Sequence, residues 1–261
     1  MFHGLKIGSS GMRTSQKVMD NVADQIANSG SEGYKKKQIN FQELLINKLG
    51  DNQVQISENG QNQGINAGSR AVFSKTDFTQ GTIVPSYSPF HLAIEGRGFF
   101  GTVDDLGQLS LTRNGCFHQN ADNSITDDQG NILAMDTYVD IDKWPDGESV
   151  NIGSDGVISF VDEIGENIDL GKVVVFAPEN SDDLITLGEG RFLPGEDVPV
   201  YNSVEDLDVE FGVLRQRHLE NSNVDMTQSI TEMLVVQRVY QANAKSVTTA
   251  DDMLEVINTI V

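Results

Sequence analysis

At 261 residues the chain has material for one large domain or two smaller ones. Hydrophobic residues reach only 38%, low for a compact enzyme, and a net charge of −21 works against nucleic acid and anionic lipid as partners. The single cysteine, Cys116, excludes an internal disulfide.

The charge is unevenly spread. Residues 1–48 hold seven Lys/Arg against four Asp/Glu, and residues 215–261 hold four against six, which leaves −22 to residues 49–214. No apolar run approaches the roughly 20 residues of a membrane span. The N-terminus shows no secretory h-region or cleavage site. Composition alone reads as cytoplasmic, and a protein exported unfolded by another signal would look the same.

Leu5, Met12, Met19 and Ile26 recur every seven residues, which predicts a helix over 4–29 with an apolar stripe facing a partner helix. Gly4, Gly8 and Gly11 each cost about 1 kcal/mol relative to Ala, so this helix needs packing to persist. It should stop near Asn28, before Ser29-Gly30-Ser31-Glu32-Gly33. Tyr34-Lys35-Lys36-Lys37 follows, either as a solvated face or as cations that meet acidic parts of neighbouring copies. From Gly50 to Gly68 the chain is rich in Gly, Gln and Asn and builds no core alone, so an extended arm is expected.

Between about Thr82 and Gly212 short apolar runs alternate with turn pairs such as Gly107-Gln108, Asp146-Gly147 and Asp155-Gly156. That rhythm predicts a β-rich domain of hairpins, with the firmest hairpin at Asp155-Gly156 between Val150-Asn151-Ile152 and Val157-Ile158-Ser159. Asp104-Asp105, Asp127-Asp128 and Asp182-Asp183 could suggest carboxylate chemistry. Adjacent carboxylates on a strand point to opposite faces, however, and solvated turn acids are the expectation. The stretch Asp122–Gly130 lacks the alternating ligands and central glycine of a calcium loop. Cys116 and His118 would point the same way in an extended segment, yet no third group completes a thiol site, and a half-buried strand residue is expected.

Helical character returns at about Asp225, with Asn223, Asp225 or Thr227 as candidate caps. Met233, Tyr240, Val247, Leu254 and Val261 are spaced by seven, and Val236, Asn243, Ala250 and Ile257 form the offset register. Gly and Pro are absent from 213 to 261. The fold class expected is therefore α+β: two terminal helices forming a coiled-coil stem, an extended arm, and a central β-rich domain. Its divisions fall at 1–34, 35–81, 82–212 and 213–261.

Several blocks, in order along nearly the whole chain, resemble one family. They are Ala27-Asn28-x-x-Ser31-x-Gly33-Tyr34-Lys35, Phe41-Gln42-Glu43-Leu44-Leu45, Leu92-Ala93-Ile94-Glu95-Gly96-Arg97-Gly98-Phe99-Phe100 and Leu111-Thr112-Arg113-Asn114-Gly115-x-Phe117. Further blocks are Ile152-Gly153-x-Asp155-Gly156, Glu220-x-Ser222-Asn223-Val224 and Gln237-Arg238-x-Tyr240-x-x-Asn243-x-Lys245. Together they resemble the axial proteins of the bacterial flagellar rod and hook. The length between Phe41 and Gly81 is similar to that of the distal-rod members, with proximal-rod or hook paralogues as the alternative.

That resemblance implies a structural, non-enzymatic subunit, exported without a cleaved signal peptide and located in the periplasm-spanning rod of the basal body. It implies self-assembly into a hollow helical tube that transmits torque to the hook. Adjacent rod and hook proteins, and surrounding ring proteins, would be its partners. No cofactor, metal, nucleic acid or membrane insertion is expected. The residues expected at subunit interfaces are Leu5, Met12, Met19, Ile26, Lys35, Lys36 and Lys37, with Met233, Tyr240, Asn243, Val247, Leu254 and Ile257. An intrachain two-helix stem would show the same heptads. A β-domain adhesin on a coiled-coil stalk is the rival reading.

Overall fold

The structure is a computed structural model that describes residues 2–48, 64–140, 144, 150–161, 166–195, 198–206 and 208–260. Its backbone divides into two compact units. One comprises 1–27, 37–77 and 225–261, and the other 28–36 and 78–224.

The first unit holds α1 (Phe2–Ala27), β1 (Lys37–Lys48), β2 (Gly64–Thr76) and α2 (Met226–Ile260). These are the two α-helices among the described residues. α2 runs 35 residues because nothing in that stretch breaks it. It begins on Asp225, whose Oδ1 accepts the Gln228 amide at 3.0 Å and satisfies one of the orphan donors of the first turn. α1 remains continuous through its three glycines, and its polar side chains reach the strands beside it. Thr14 Oγ1 donates to the Ser69 carbonyl at 2.9 Å, while Asn21 and Gln25 both donate to the Lys37 carbonyl, at 3.0 and 2.8 Å.

β1 and β2 pair antiparallel from Lys37↔Thr76 to Lys48↔Gly64, with register shifts that mark bulges. Gly68, at φ +113°, lies against the Ser10 side chain, an approach that a Cβ would block. The expected arm at 50–68 lies mostly outside the described residues.

The second unit is β-rich, so the coarse α+β class holds. β3 (Ile83–Pro85), β4 (Leu92–Glu95), β5 (Phe99–Val103), β6 (Leu109–Thr112), β7 (Phe117–Gln119), β8 (Ile125–Asp127) and β9 (Ile132–Leu133) come first. β10 (Met135–Thr137), β11 (Val150–Ile152), β12 (Val157–Val161), β13 (Asn167–Val173) and β14 (Val175–Pro178) follow. β15 (Leu184–Gly188), β16 (Arg191–Pro194), β17 (Val200–Asn202), β18 (Val213–Gln216) and β19 (His218–Glu220) complete it.

The largest sheet runs β15-β16-β6-β5-β9-β8-β7, with β14 joining β5 and β17. A second sheet runs β10-β13-β12-β11, and two ladders, β18-β4 and β19-β3, return the late strands to the early ones. The hairpin expected at Asp155-Gly156 is present. Ile152 faces Ile158 across it, Gly156 takes φ +89°, and Asp155 Oδ1 accepts the Val157 amide. Asp146-Gly147 lies outside the described residues. The main core gathers Phe100, Phe117, Ile94, Ile125, Leu170 and Leu214, with Phe100 and Phe117 meeting edge to face at 5.2 Å.

Candidate assembly interface

α1 and α2 lie side by side in antiparallel register. A Cβ on Gly8 would meet Val247 Cγ2 at 2.7 Å, and one on Gly11 would meet Asn243 Nδ2 at 2.7 Å. Val18, Val22, Ala71 and Val236 form the buried centre of this contact, with Met19, Ile26, Ile39 and Met233 packed around it.

On α2, Met233, Val236, Tyr240, Asn243, Val247 and Leu254 are all buried or half-buried. Ile257 is instead 45% exposed. On α1 two of the expected residues, Met19 and Ile26, pack against the cluster shared with Val236 and Met233. The buried positions of α1 are Gly8, Thr14, Ser15, Val18, Asn21, Val22 and Gln25, of which Thr14, Asn21 and Gln25 bond to the strands. Leu5, Met12, Met19 and Ile26 run alongside, half-buried. Small residues at the contact let the helix backbones approach closely, and a count of apolar side chains cannot register them.

Beyond its contact stripe α2 stays apolar. Leu234, Val235 and Val239 are exposed, as are Met253 and Val256 near its end. A helix with apolar side chains on several faces has more surface suited to burial than a single partner helix covers.

The three lysines have separate fates. Lys35, expected to reach a neighbouring copy, is buried within its own chain: Nζ lies 2.6 Å from Glu220 Oε1 and donates to the Thr79 carbonyl at 2.9 Å. The side chains of Lys35 and Glu220 are 0% and 1% exposed. Lys36 is half-buried, and its amide donates to Asn223 Oδ1 at 2.8 Å. Lys37 lies 3.4 Å from Asp24, both partly exposed.

Glu220 is a buried charge that periodicity does not reveal. Its Oε1 also accepts the Gly81 amide at 2.8 Å, and its Oε2 accepts from Arg113 Nη1 at 3.2 Å. Arg113 Nη2 donates to the Gly96 carbonyl at 2.7 Å, and its guanidinium sits 5.2 Å from the centre of the Phe99 ring. Burial pulls the Arg113 pKa down, against the Glu220 charge that holds it up. Arginine stays protonated even so, and one carboxylate therefore anchors two buried cations. The available signal was that Lys35, Arg113 and Glu220 each fall in a quoted motif. Nothing in their spacing announced that they meet.

The candidate chemistries dissolve into structure. Burial, aided by the negative charges of Glu32 and Asp128, pushes the Cys116 thiol up to about 12, the opposite of an activated nucleophile. Asp104 and Asp127 each use Oδ1 to accept two backbone amides in their own turns, Asp127 being buried at the end of β8 and not the solvated acid expected, and Asp182 and Asp183 sit in a single 3-10 turn. Among the described residues no cluster of His, Cys, Asp and Glu is arranged to hold a metal, and no helix is long and apolar enough to cross a membrane.

Residues 215–260 match the family of the flagellar basal body rod FlgEFG protein C-terminal, and residues 93–160 match the flagellar hook protein FlgE/F/G D1 domain. The chain is 32% identical to the flagellar basal-body rod protein FlgG of Bacillus subtilis (strain 168), over 98% of this chain and 97% of that one. It is 29% identical to that of Agrobacterium fabrum, over 97% of each chain. The Borreliella burgdorferi protein of the same name is 27% identical, over 100% of this chain and 99% of its own.

Proposed function

The chain belongs to the flagellar basal-body rod family, and on that premise we propose that it is a structural subunit of the distal rod, self-assembling into a hollow helical tube that passes torque to the hook. Its role is mechanical rather than catalytic. The supporting observation is a likeness extending over almost the full length of both chains, joined to an α2 that leaves apolar side chains open on faces α1 does not cover.

The two helices form a coiled-coil stem in this reading. The segments 1–34 and 213–261 supply the inner layer of the tube, 35–81 the arm, and 82–212 the outer layer. Leu5, Met12, Met19, Ile26, Lys36 and Lys37 on one side, and Met233, Tyr240, Asn243, Val247, Leu254 and Ile257 on the other, contribute to subunit contacts. A contact that repeats without closing on itself generates a filament. Other copies, adjacent rod and hook proteins, and the surrounding rings are the partners, and the basal body is the location.

The test is electron microscopy of the concentrated full-length protein beside Leu254→Asp. The parent is expected to form tubes, and the variant to stay unassembled with its β-rich unit folded. Tubes formed equally well by Leu254→Asp would remove the helix pair from the interface.

A further inference from the structure

A groove of about 580 Å³ runs between α1 and β2, with Leu5 and Ala71 among its lining residues. Lys6, Arg13, Lys17 and Arg70 also line it, and among the described residues no carboxylate does. In a chain with 18 Lys/Arg against 39 Asp/Glu, four cations gathered on one groove are a marked departure from the average. All four are exposed. Among the described residues none of them forms an ion pair, and Arg70 instead donates to Gln42 Oε1 at 3.1 Å. By helical periodicity Lys6, Arg13 and Lys17 share one face of α1, different from the Gly8–Gly11 face that meets α2.

The opposite pattern lies at the end of α2. From Asp251 to Thr259 only Leu254 is as much as half-buried. Asp251, Asp252 and Glu255 are exposed there, interleaved with exposed Met253, Val256 and Ile257. This is an acidic amphipathic helix end, and the groove has a basic rim with apolar side chains among its lining.

We infer that the groove lined by Lys6, Arg13, Lys17 and Arg70 seats the acidic end of α2 from a second copy of this chain. The inference rests on the rod reading and gives it one specific contact. The contact joins two different surfaces, α2 end to α1 groove, the heterologous kind that builds a filament when its rotation does not close. Opposed charges on the two surfaces would set the register of that contact and reject a misplaced helix.

The experiment uses the full chain in three forms: Lys6→Glu/Arg13→Glu/Arg70→Glu, Asp251→Lys/Asp252→Lys/Glu255→Lys, and all six changes together. Each triple reversal is expected to cut the polymer sedimented at moderate salt by about tenfold or more, and the sixfold reversal to restore most of it, as complementary charge requires. Circular dichroism should show unchanged helix content, because all six side chains are exposed. Should a reversal disturb folding, Arg13→Cys with Asp252→Cys in a Cys116→Ser parent gives an independent answer, since assembled tubes should then oxidise to a disulfide ladder. Triple variants that polymerise like the parent, a sixfold variant that stays as poor as either triple, or tubes that give no ladder would overturn the groove assignment and leave the rod reading intact. A parent that forms no tubes overturns both.

Discussion

Glu220 illustrates how much one residue holds in this chain. A carboxylate that is 1% exposed is tolerated because Lys35, Arg113 and the Gly81 amide all satisfy it. Removing its charge leaves two cations buried and unbalanced, and breaking a buried pair in this way costs about 3–5 kcal/mol. Glu220→Gln should therefore lower stability by that order in denaturant unfolding of the monomer, followed through the β-rich unit. A change below about 1 kcal/mol would mean that the site is nearly neutral energetically. Cys116 makes the converse point, because its neighbours disfavour ionisation. With the thiol pushed up to about 12, alkylation at pH 8 should run roughly a thousandfold slower than for a free thiol and become normal after denaturation.

At the scale of the element, α1 shows two effects of glycine competing. Replacing Gly by Ala in a helix gains about 1 kcal/mol of propensity, while overpacking a tight contact costs about 1–3 kcal/mol. Gly4 has open space where its Cβ would be, so Gly4→Ala should stabilise the helix, read as a higher thermal midpoint at 222 nm. Gly8→Ala should do the reverse, because the new methyl meets the stiff branch of Val247. Equal gains at both positions would show that the helices do not approach so closely in solution. The heptads located both helices within a few residues. They passed over Gly8 and Gly11, which carry no hydrophobic signal and yet lie against Val247 and Asn243 of α2.

Across the whole molecule the charge separates by unit. Counting Lys and Arg against Asp and Glu gives about −2 for 1–27, 37–77 and 225–261 together, and about −19 for the rest. Like-charged β-rich units repel during encounter, and raising salt from about 10 to 150 mM shortens the screening length from about 30 to 8 Å. Assembly should therefore start faster over that range in a light-scattering assay. A rate indifferent to salt would mean that these acids are already neutralised or lie far from one another in the encounter.

Local rules alone determined the helices at the two ends, the hairpin chemistry of Asp155-Gly156 and the family likeness. Each of these is written in residues close together in the chain, through periodicity, capping or turn preference. The Glu220 site, the close approach of Gly8 and Gly11 to α2 and the basic groove were decided by tertiary structure. Their members lie far apart in sequence, as Lys35 does from Arg113 and Glu220, or Lys6 from Arg70, and charge, burial and close approach acquire meaning only once the fold brings those positions together.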